Sequence, residues 1–388
     1  MRTIKNYVRA ALPMLLGCLL FVACSDDDIA EKGVKEGLPA SLTFKMVVPD
    51  LNDAVVTRAG VEQETALNQL MFLFYKKSDT SKPAFARVID QLGQYSIGSD
   101  SEDESNRLYT VTISPGDTDS NGNELKSGEY YLYALANWQN GFCSYDAEGY
   151  ASKSLDELKN AILARESGAN VLDIVNNTPM TGIYGRNDGS ITINEGKNSF
   201  GTTDETRVHL RRAVAKVIFN ISTENGITFT PERYSIYNYS QSSTLMERSG
   251  WEGGQGTKPG NLSYEGNNSF SDFENLAFSD NTPNSYEFYM PENVQKTKEV
   301  FTEVKMREKR VSKTNETFKY APENSTYIVI EGHYNGPRNA SDKTATYDGD
   351  VKYTIQLGDF NADRGGIDNF TIRRNVKYTY NVKVAGVN

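Results

Sequence analysis

Residues 41–50, SLTFKMVVPD, set Leu42, Phe44, Met46 and Val48 against Ser41, Thr43, Lys45 and Val47. A two-residue period places one set of side chains on one face of an extended strand, so a chain built from such segments folds as sheets that bury a face. The pattern recurs over 67–75, 108–113 (LYTVTI), 130–136 (YYLYALA), 191–193, 208–221, 234–239, 286–290, 327–330, 351–357 and 375–384. Turns containing Gly, Asn and Asp separate the segments, and strand follows strand without helical periods between them. This predicts an all-β chain of antiparallel sandwiches rather than helix-crossed parallel sheets. One helix is expected, from Ser154 to about Glu166. Ser154 and Glu157 have capping-box spacing, and Leu155, Leu158, Ala161 and Ile162 form one apolar stripe suited to covering a sheet edge.

The N-terminus follows different rules. Arg2, Lys5 and Arg9 precede an apolar run over 10–23 broken only by Pro13. That run is shorter than the roughly 20 residues needed to span a bilayer. A basic start, a short apolar core and small Ala23 describe a secretory signal peptide over 1–23. The order Phe21-Val22-Ala23-Cys24 resembles the lipobox of bacterial lipoproteins, which implies that Cys24 is acylated and becomes the mature N-terminus. The following Ser25-Asp26-Asp27-Asp28 resembles the export tag of lipoproteins displayed outside the outer membrane; a solvated linker is the plainer reading of such a run.

Loss of residues 1–23 removes three positive charges and takes the net charge from −10 to −13. This argues against a nucleic-acid partner, which needs a clustered basic face. Cys18 leaves with the signal and Cys24 carries lipid, so Cys143 alone remains and no internal disulfide can form. Stability must come from burial, for which roughly 360 residues are ample. Residues 24–40 read as a tether. The character of the chain changes near residue 205, giving an expected N-terminal unit over 41–205 and a C-terminal unit over 206–388. A long polar expanse over 241–285 shows little strand pattern.

Several segments together resemble the fimbrillins, type V pilus subunits exported as lipoproteins by Gram-negative gut and mouth bacteria. They are the lipobox at Cys24, TRAG (57–60), GEYYLYALANW (128–138), TPMTG (178–182), HLRRAVAKVIFNI (209–221), FYMPEN (288–293) and RNVKYTYNVKVAGV (374–387). They cover nearly the whole chain, in the family's order. The resemblance implies two tandem transthyretin-like Greek-key β-sandwich domains with one short helix in the first. It implies assembly by strand exchange: an Arg-specific protease cuts between Arg58 and Ala59, the segment over 41–58 leaves with its lipid, and a strand of another pilus subunit fills the groove. The surface location expected is the outer membrane and then the fimbrium. The residues fit that mechanism on their own terms. Removing Leu42, Phe44, Met46 and Val48 at about 1.5–3 kcal/mol each opens a deficit comparable with a typical domain stability of roughly 5–15 kcal/mol, so the opened form would seek a replacement strand. The competing reading is a permanent first strand with an ordinary loop arginine.

Stalk subunits of the family continue past the final strand with a donor segment, whereas this sequence ends at Asn388; a tip or accessory position is therefore expected. The alternative is a non-polymerising or anchor-type surface lipoprotein that binds glycan or protein, and a second rival is a surface hydrolase. Catalysis has little support: His209 and His333 are the two histidines, no motif singles out a carboxylate pair, and no cofactor is indicated. The run Asp117-Thr118-Asp119-Ser120-Asn121-Gly122 imitates a calcium loop, yet Gly128 stands where the closing glutamate belongs, and turns use the same residues; no metal site is assigned. Trp251, Tyr264, Phe270 and Phe273 in the polar expanse are candidates for a host or bacterial surface ligand, by stacking or as contact anchors, or else they tuck the loop onto the sandwich.

Overall fold

The computed structural model describes residues 33–49, 52–53, 67–89, 106–138, 143–144, 148–165, 178–247, 270–278, 284–295, 298–312, 315–338, 344–359 and 366–387. These residues form an all-β architecture with one short α-helix, as the alternation predicts. A nine-stranded sheet has the order Gly196–Ser199, Ala40–Pro49, Val208–Arg212, Met180–Tyr184, Gly128–Ala136, Leu70–Lys76, Phe85–Ile89, with Asn106–Ile113 added on Ala40–Pro49 and Ser190–Ile193 on Gly128–Ala136. Phe44 and Phe72 lie four strands apart along this order, yet their rings meet edge to face at 4.9 Å. The sheet therefore folds back on itself and encloses a core of Leu42, Phe44, Met46, Val48, Leu70, Phe72, Phe74, Leu132 and their neighbours.

Strand Leu70–Lys76 (LMFLFYK) is buried along almost its whole length. Leu70, Phe72 and Phe74 point into that core, while Met71, Leu73 and Tyr75 point into the second, larger one. Burial on both faces explains why the segment reads as a continuous apolar run. The larger core continues between two four-stranded sheets, Ser285–Pro291, Val214–Thr223, Val376–Val384, Asn52–Asp53 and Phe270–Ala277, Thr228–Ser240, Tyr327–Pro337, Thr346–Gln356. Phe219 stacks on Tyr286 at 5.0 Å and on Tyr380 at 4.8 Å, and Tyr234 of the facing sheet stacks on Tyr286 at 3.8 Å. Sandwich packing of this kind holds the two sheets face to face.

Three local expectations change. The segment 208–221 is not one strand: it breaks at Ala213, whose N–H donates to the Pro179 carbonyl at 2.8 Å. Val208–Arg212 completes the nine-stranded sheet and Val214–Thr223 enters the next, so the chain changes sheets at this residue. The helix is Leu155–Lys159 only. Its capping box is present, with Glu157 N–H donating to the Ser154 hydroxyl at 3.2 Å and Ser154 N–H to the Glu157 carboxylate at 2.8 Å. It ends at Asn160 because Ile162–Arg165 is a strand paired with Ser242–Thr244 and Cys143–Ser144, which leaves Ile162 exposed. The expanse 241–285 likewise contains strands Ser242–Thr244 and Phe270–Ala277.

The quoted motifs converge where the chain changes sheets. Asn375 takes φ 55°, a left-handed conformation that Asn tolerates, and its side-chain oxygen accepts from Arg212 N–H at 3.2 Å and Nη1 at 3.1 Å. Arg374 is buried; it donates to the Leu245 carbonyl at 2.9 Å, to the Thr244 hydroxyl at 3.1 Å and to the buried Glu292 carboxylate. Arg211 Nη1 reaches both Glu247 oxygens at 2.9 Å. Gly182 lies so near strand Val208–Arg212 that a Cβ there would sit 2.2 Å from the His209 carbonyl oxygen. Replacing Arg374 by Met strands the Glu292 carboxylate without its cation, so an Arg374→Met variant should lose about 3–5 kcal/mol in urea unfolding, with the Glu292→Gln, Arg374→Met pair regaining part of it.

Candidate functional site: the first strand and its groove

Residues Ala40–Pro49 form an internal strand. On one side residues 42–49 pair antiparallel with Asn106–Ile113; on the other, 40–43 run parallel to Gly196–Ser199 and 46–47 parallel to Val208–His209. Leu42, Phe44, Met46 and Val48 are 0% exposed, so the set of side chains singled out by alternation is the set the core swallows. Val47 departs from the pattern: it faces the other side of the strand and is also buried, at 5% exposure.

Side-chain and backbone contacts beyond the ladders hold the strand in place. Asn198 Nδ2 donates to the Ser41 carbonyl at 3.1 Å, and Phe200 N–H donates to the Thr43 carbonyl at 2.9 Å. Gly201 passes close enough that a Cβ there would lie 2.5 Å from Lys45 Cβ. Upstream, the buried Ser127 exchanges backbone hydrogen bonds with Gly37 and Leu38 at 2.9 and 2.8 Å, and its hydroxyl accepts from Leu38 N–H at 3.0 Å and donates to the Lys35 carbonyl at 2.5 Å. The sequence gives no periodic signal for Asn198, Gly201 or Ser127, because each acts through the backbone of a distant segment. Just beyond the strand, Asn52–Asp53 runs parallel to 376–377 and forms an edge of the sheet containing the last strand.

Cys24, Arg58, Ala59, Trp251 and Tyr264 lie outside the described residues. Phe270 and Phe273 lie on strand Phe270–Ala277, at the edge of its sheet. Phe273 packs against the core, 5.1 Å from the Tyr239 ring, and the Arg165 guanidinium sits 4.7 Å from its centre. The Asp119 carboxylate accepts from Asn121 N–H at 2.9 Å, Asn123 N–H at 2.8 Å and Asn123 Nδ2 at 2.9 Å, and so organises its own turn. Asp117 does the same for Ser114 N–H at 2.8 Å.

The two histidines are apart and differently held. His209 is largely buried and its Nε2 donates to the Asp204 carbonyl at 2.7 Å; burial holds its pKa below the usual value. His333, on the outer face of a sheet, lies between Asp348 (Nε2, 2.7 Å) and Asp350 (Nδ1, 3.1 Å), and these hydrogen bonds raise its pKa.

The fold and this seat define a class: an all-β chain of packed sheets in which the first described strand is an internal member of its sheet with one face sealed in the core. The sandwich fold is shared with solved structures. A candidate cell adhesion protein from Parabacteroides distasonis ATCC 8503 matches with TM-score 0.52 at 16% identity, over 90% of this chain and 89% of that chain. A second candidate cell adhesion protein of that strain matches with TM-score 0.51 at 14% identity, over 90% and 92%. A fimbrilin (FimA) from Porphyromonas gingivalis W83 gives 0.49 at 15% identity, over 91% and 92%. A family model described as a domain of unknown function (DUF4906) matches residues 288–382. No curated protein matches the sequence.

Two outcomes follow from the geometry. Truncating Phe44 to Ala empties a slot against Phe72 and should lower stability by about 3–5 kcal/mol in chemical denaturation. The histidine resonances should titrate on opposite sides of the ordinary value of about 6.5. For His209 the folded pKa is depressed, so its contribution declines as pH falls through the unfolded-state value; for His333 the folded pKa is raised, so its contribution is full below that value and fades as pH rises through the folded one. Proton NMR, with a His333→Gln variant for assignment, measures both.

Proposed function

We propose that this chain is a surface-displayed fimbrial adhesion subunit without catalytic turnover, made as a lipoprotein on Cys24. It is cut after Arg58, and strand Ala40–Pro49 is then replaced by a strand from a neighbouring pilus subunit. The observation that carries this reading is the first strand itself: an N-terminal segment reached from a polar tether, internal to its sheet and hydrogen-bonded on both sides, with four side chains sealed in the core. Departure of such a strand leaves two unpaired sheet edges and an apolar slot, which is the condition for β-strand addition by another chain. The shared fold of candidate cell adhesion proteins supports the adhesive half of the reading.

Residues 54–66, which contain the TRAG sequence, join the segment ending at Asp53 to the strand starting at Leu70. A cut at Arg58 separates both Ala40–Pro49 and Asn52–Asp53 from the rest of the chain. The test uses a trimmed chain beginning at Ala59. It should melt non-cooperatively or aggregate, and recover a cooperative transition when a peptide of residues 40–53 is added. A trimmed form that stays soluble, melts cooperatively and ignores the peptide overturns strand replacement. Mass spectrometry of native surface material separates the alternatives: Ala59 as first residue agrees with cleavage, whereas acylated Cys24 in assembled material supports the lipid-anchored surface protein.

A further inference from the structure

Strand Thr346–Gln356 ends its four-stranded sheet, and among the described residues no strand pairs with its outer side. Its register with Tyr327–Pro337 is unbroken and it contains no proline, whereas the opposite edge strand of the same sheet, Phe270–Ala277, is bulged. Bulges and prolines are common protections of a sheet edge, and this strand has neither.

The direction of its backbone groups follows from the bonds at either end. Arg338 N–H donates to the Ala345 carbonyl at 2.7 Å and Leu357 N–H to the Thr326 carbonyl at 2.9 Å, so odd-numbered residues face the neighbouring strand. Even-numbered residues turn N–H and C=O outward. Gln356 agrees with this phase: its N–H donates to the Glu308 carboxylate at 3.2 Å. Asp348, Asp350, Lys352 and Thr354 therefore present the open ladder. The Asp350 carbonyl accepts from the Tyr347 hydroxyl at 3.2 Å and keeps a second lone pair.

Charged side chains cross this sheet in rows. In one row Arg233, Glu331 and Lys352 are cross-strand neighbours, with Glu331 ion-paired to both cations. In the next, His333 lies opposite Asp350, its Nδ1 at 3.1 Å from that carboxylate. The first row reaches the edge in a cation and the second in an anion, with the Lys352 side chain 69% and that of Asp350 85% exposed. An antiparallel copy with Val351 on the two-fold axis sets Lys352 against Asp350 on both sides of that axis. In the same register Asp348 meets Thr354, and the outward backbone groups meet one another as an antiparallel ladder requires. Centring on residue 350 or 352 instead sets Asp350 or Lys352 against its own copy, and centring on Gly349 sets Asp348 against Asp350. Like charges directly opposite destabilise a strand pair.

We infer that Thr346–Gln356 is a self-complementary docking edge, through which two copies of the chain join their sheets across a two-fold axis at Val351. The contact is isologous, so it closes at a dimer. Its charge row runs through Arg233, Glu331 and Lys352 to Asp350 of the second copy, alternating in sign. One strand on each side makes a small interface, so the dimer is reversible and concentration-dependent. The edge belongs to a different sheet from Ala40–Pro49, and the inference does not rest on replacement of that strand.

Sedimentation of the full chain over a range of concentrations tests the inference. The mass should rise from monomer toward dimer and no further. Asp350→Lys alone and Lys352→Glu alone each place like charges in opposition and should raise the dimer dissociation constant about tenfold, with circular dichroism unchanged. Mixing the two variants restores opposite charges across the axis and should give a heterodimer, and both substitutions in one chain should recover self-association. A monomer at every concentration, a dimer indifferent to both single substitutions, or variants that fail to associate both when mixed and when combined would each overturn the inference.

Discussion

Everything in the first core rests on a strand that comes from the very start of the described chain and yet lies inside its sheet. Ala40–Pro49 has neighbours on both sides, contributed by residues as distant as 106–113 and 196–212. None of those neighbours pairs directly with another across the place it occupies. Without it the curled sheet opens between Asn106–Ile113 and the Gly196–Ser199, Val208–Arg212 side, and Phe72 loses the ring packed against it. The strand is therefore a closing element, and the residues holding it, Asn198, Phe200 and Ser127, act through main-chain atoms rather than through a particular side chain on the strand.

The second constraint is the buried charged junction. A buried ion pair between Arg374 and Glu292 gives little net stability compared with an apolar pair, but neither partner can move away without leaving a charge in the interior. It fastens the end of strand Ser285–Pro291 to the start of Val376–Val384, and the Thr244 and Leu245 acceptors fasten both to the segment following Ser242–Thr244. The sequence features that mark the chain most clearly, HLRRAVAK, FYMPEN and RNVKY, are thus largely the machinery of this joint.

The alternation over 41–48 was legible because a half-buried strand in a curled sheet must repeat every two residues, and the four residues it singles out are the four that are sealed. Strands buried on both faces, such as Leu70–Lys76, were legible as apolar runs. What stayed hidden were edge strands and strands that serve only through their backbone. Gly196–Ser199 (GKNS) pairs in parallel with the first strand and has no apolar alternation. Phe270–Ala277 is a bulged edge strand whose burial follows no period. The break at Ala213 was masked because apolar residues continue through it from one core to the next. The shortness of the helix was hidden for a similar reason: the stripe that marks Leu155 and Leu158 continues into Ala161, which is buried in the same core from the link that precedes strand Ile162–Arg165.

The geometry of the seat also limits what could replace the first strand on the reading proposed above. An incoming segment must keep apolar side chains at every second position across the span of Leu42 to Val48, with a ring or comparable bulk where Phe44 meets Phe72 edge to face. It must pass close to Gly201, since a Cβ on that glycine would lie 2.5 Å from Lys45 Cβ. A one-residue slip would turn the polar set into the core and the apolar set outward, so register is strongly specified. Val47 adds a second apolar requirement on the opposite face, which a strictly alternating donor would not meet. The groove selects by spacing and by two local shapes, and the hydrogen-bond ladders on either side supply the affinity that any sequence satisfying those shapes would share.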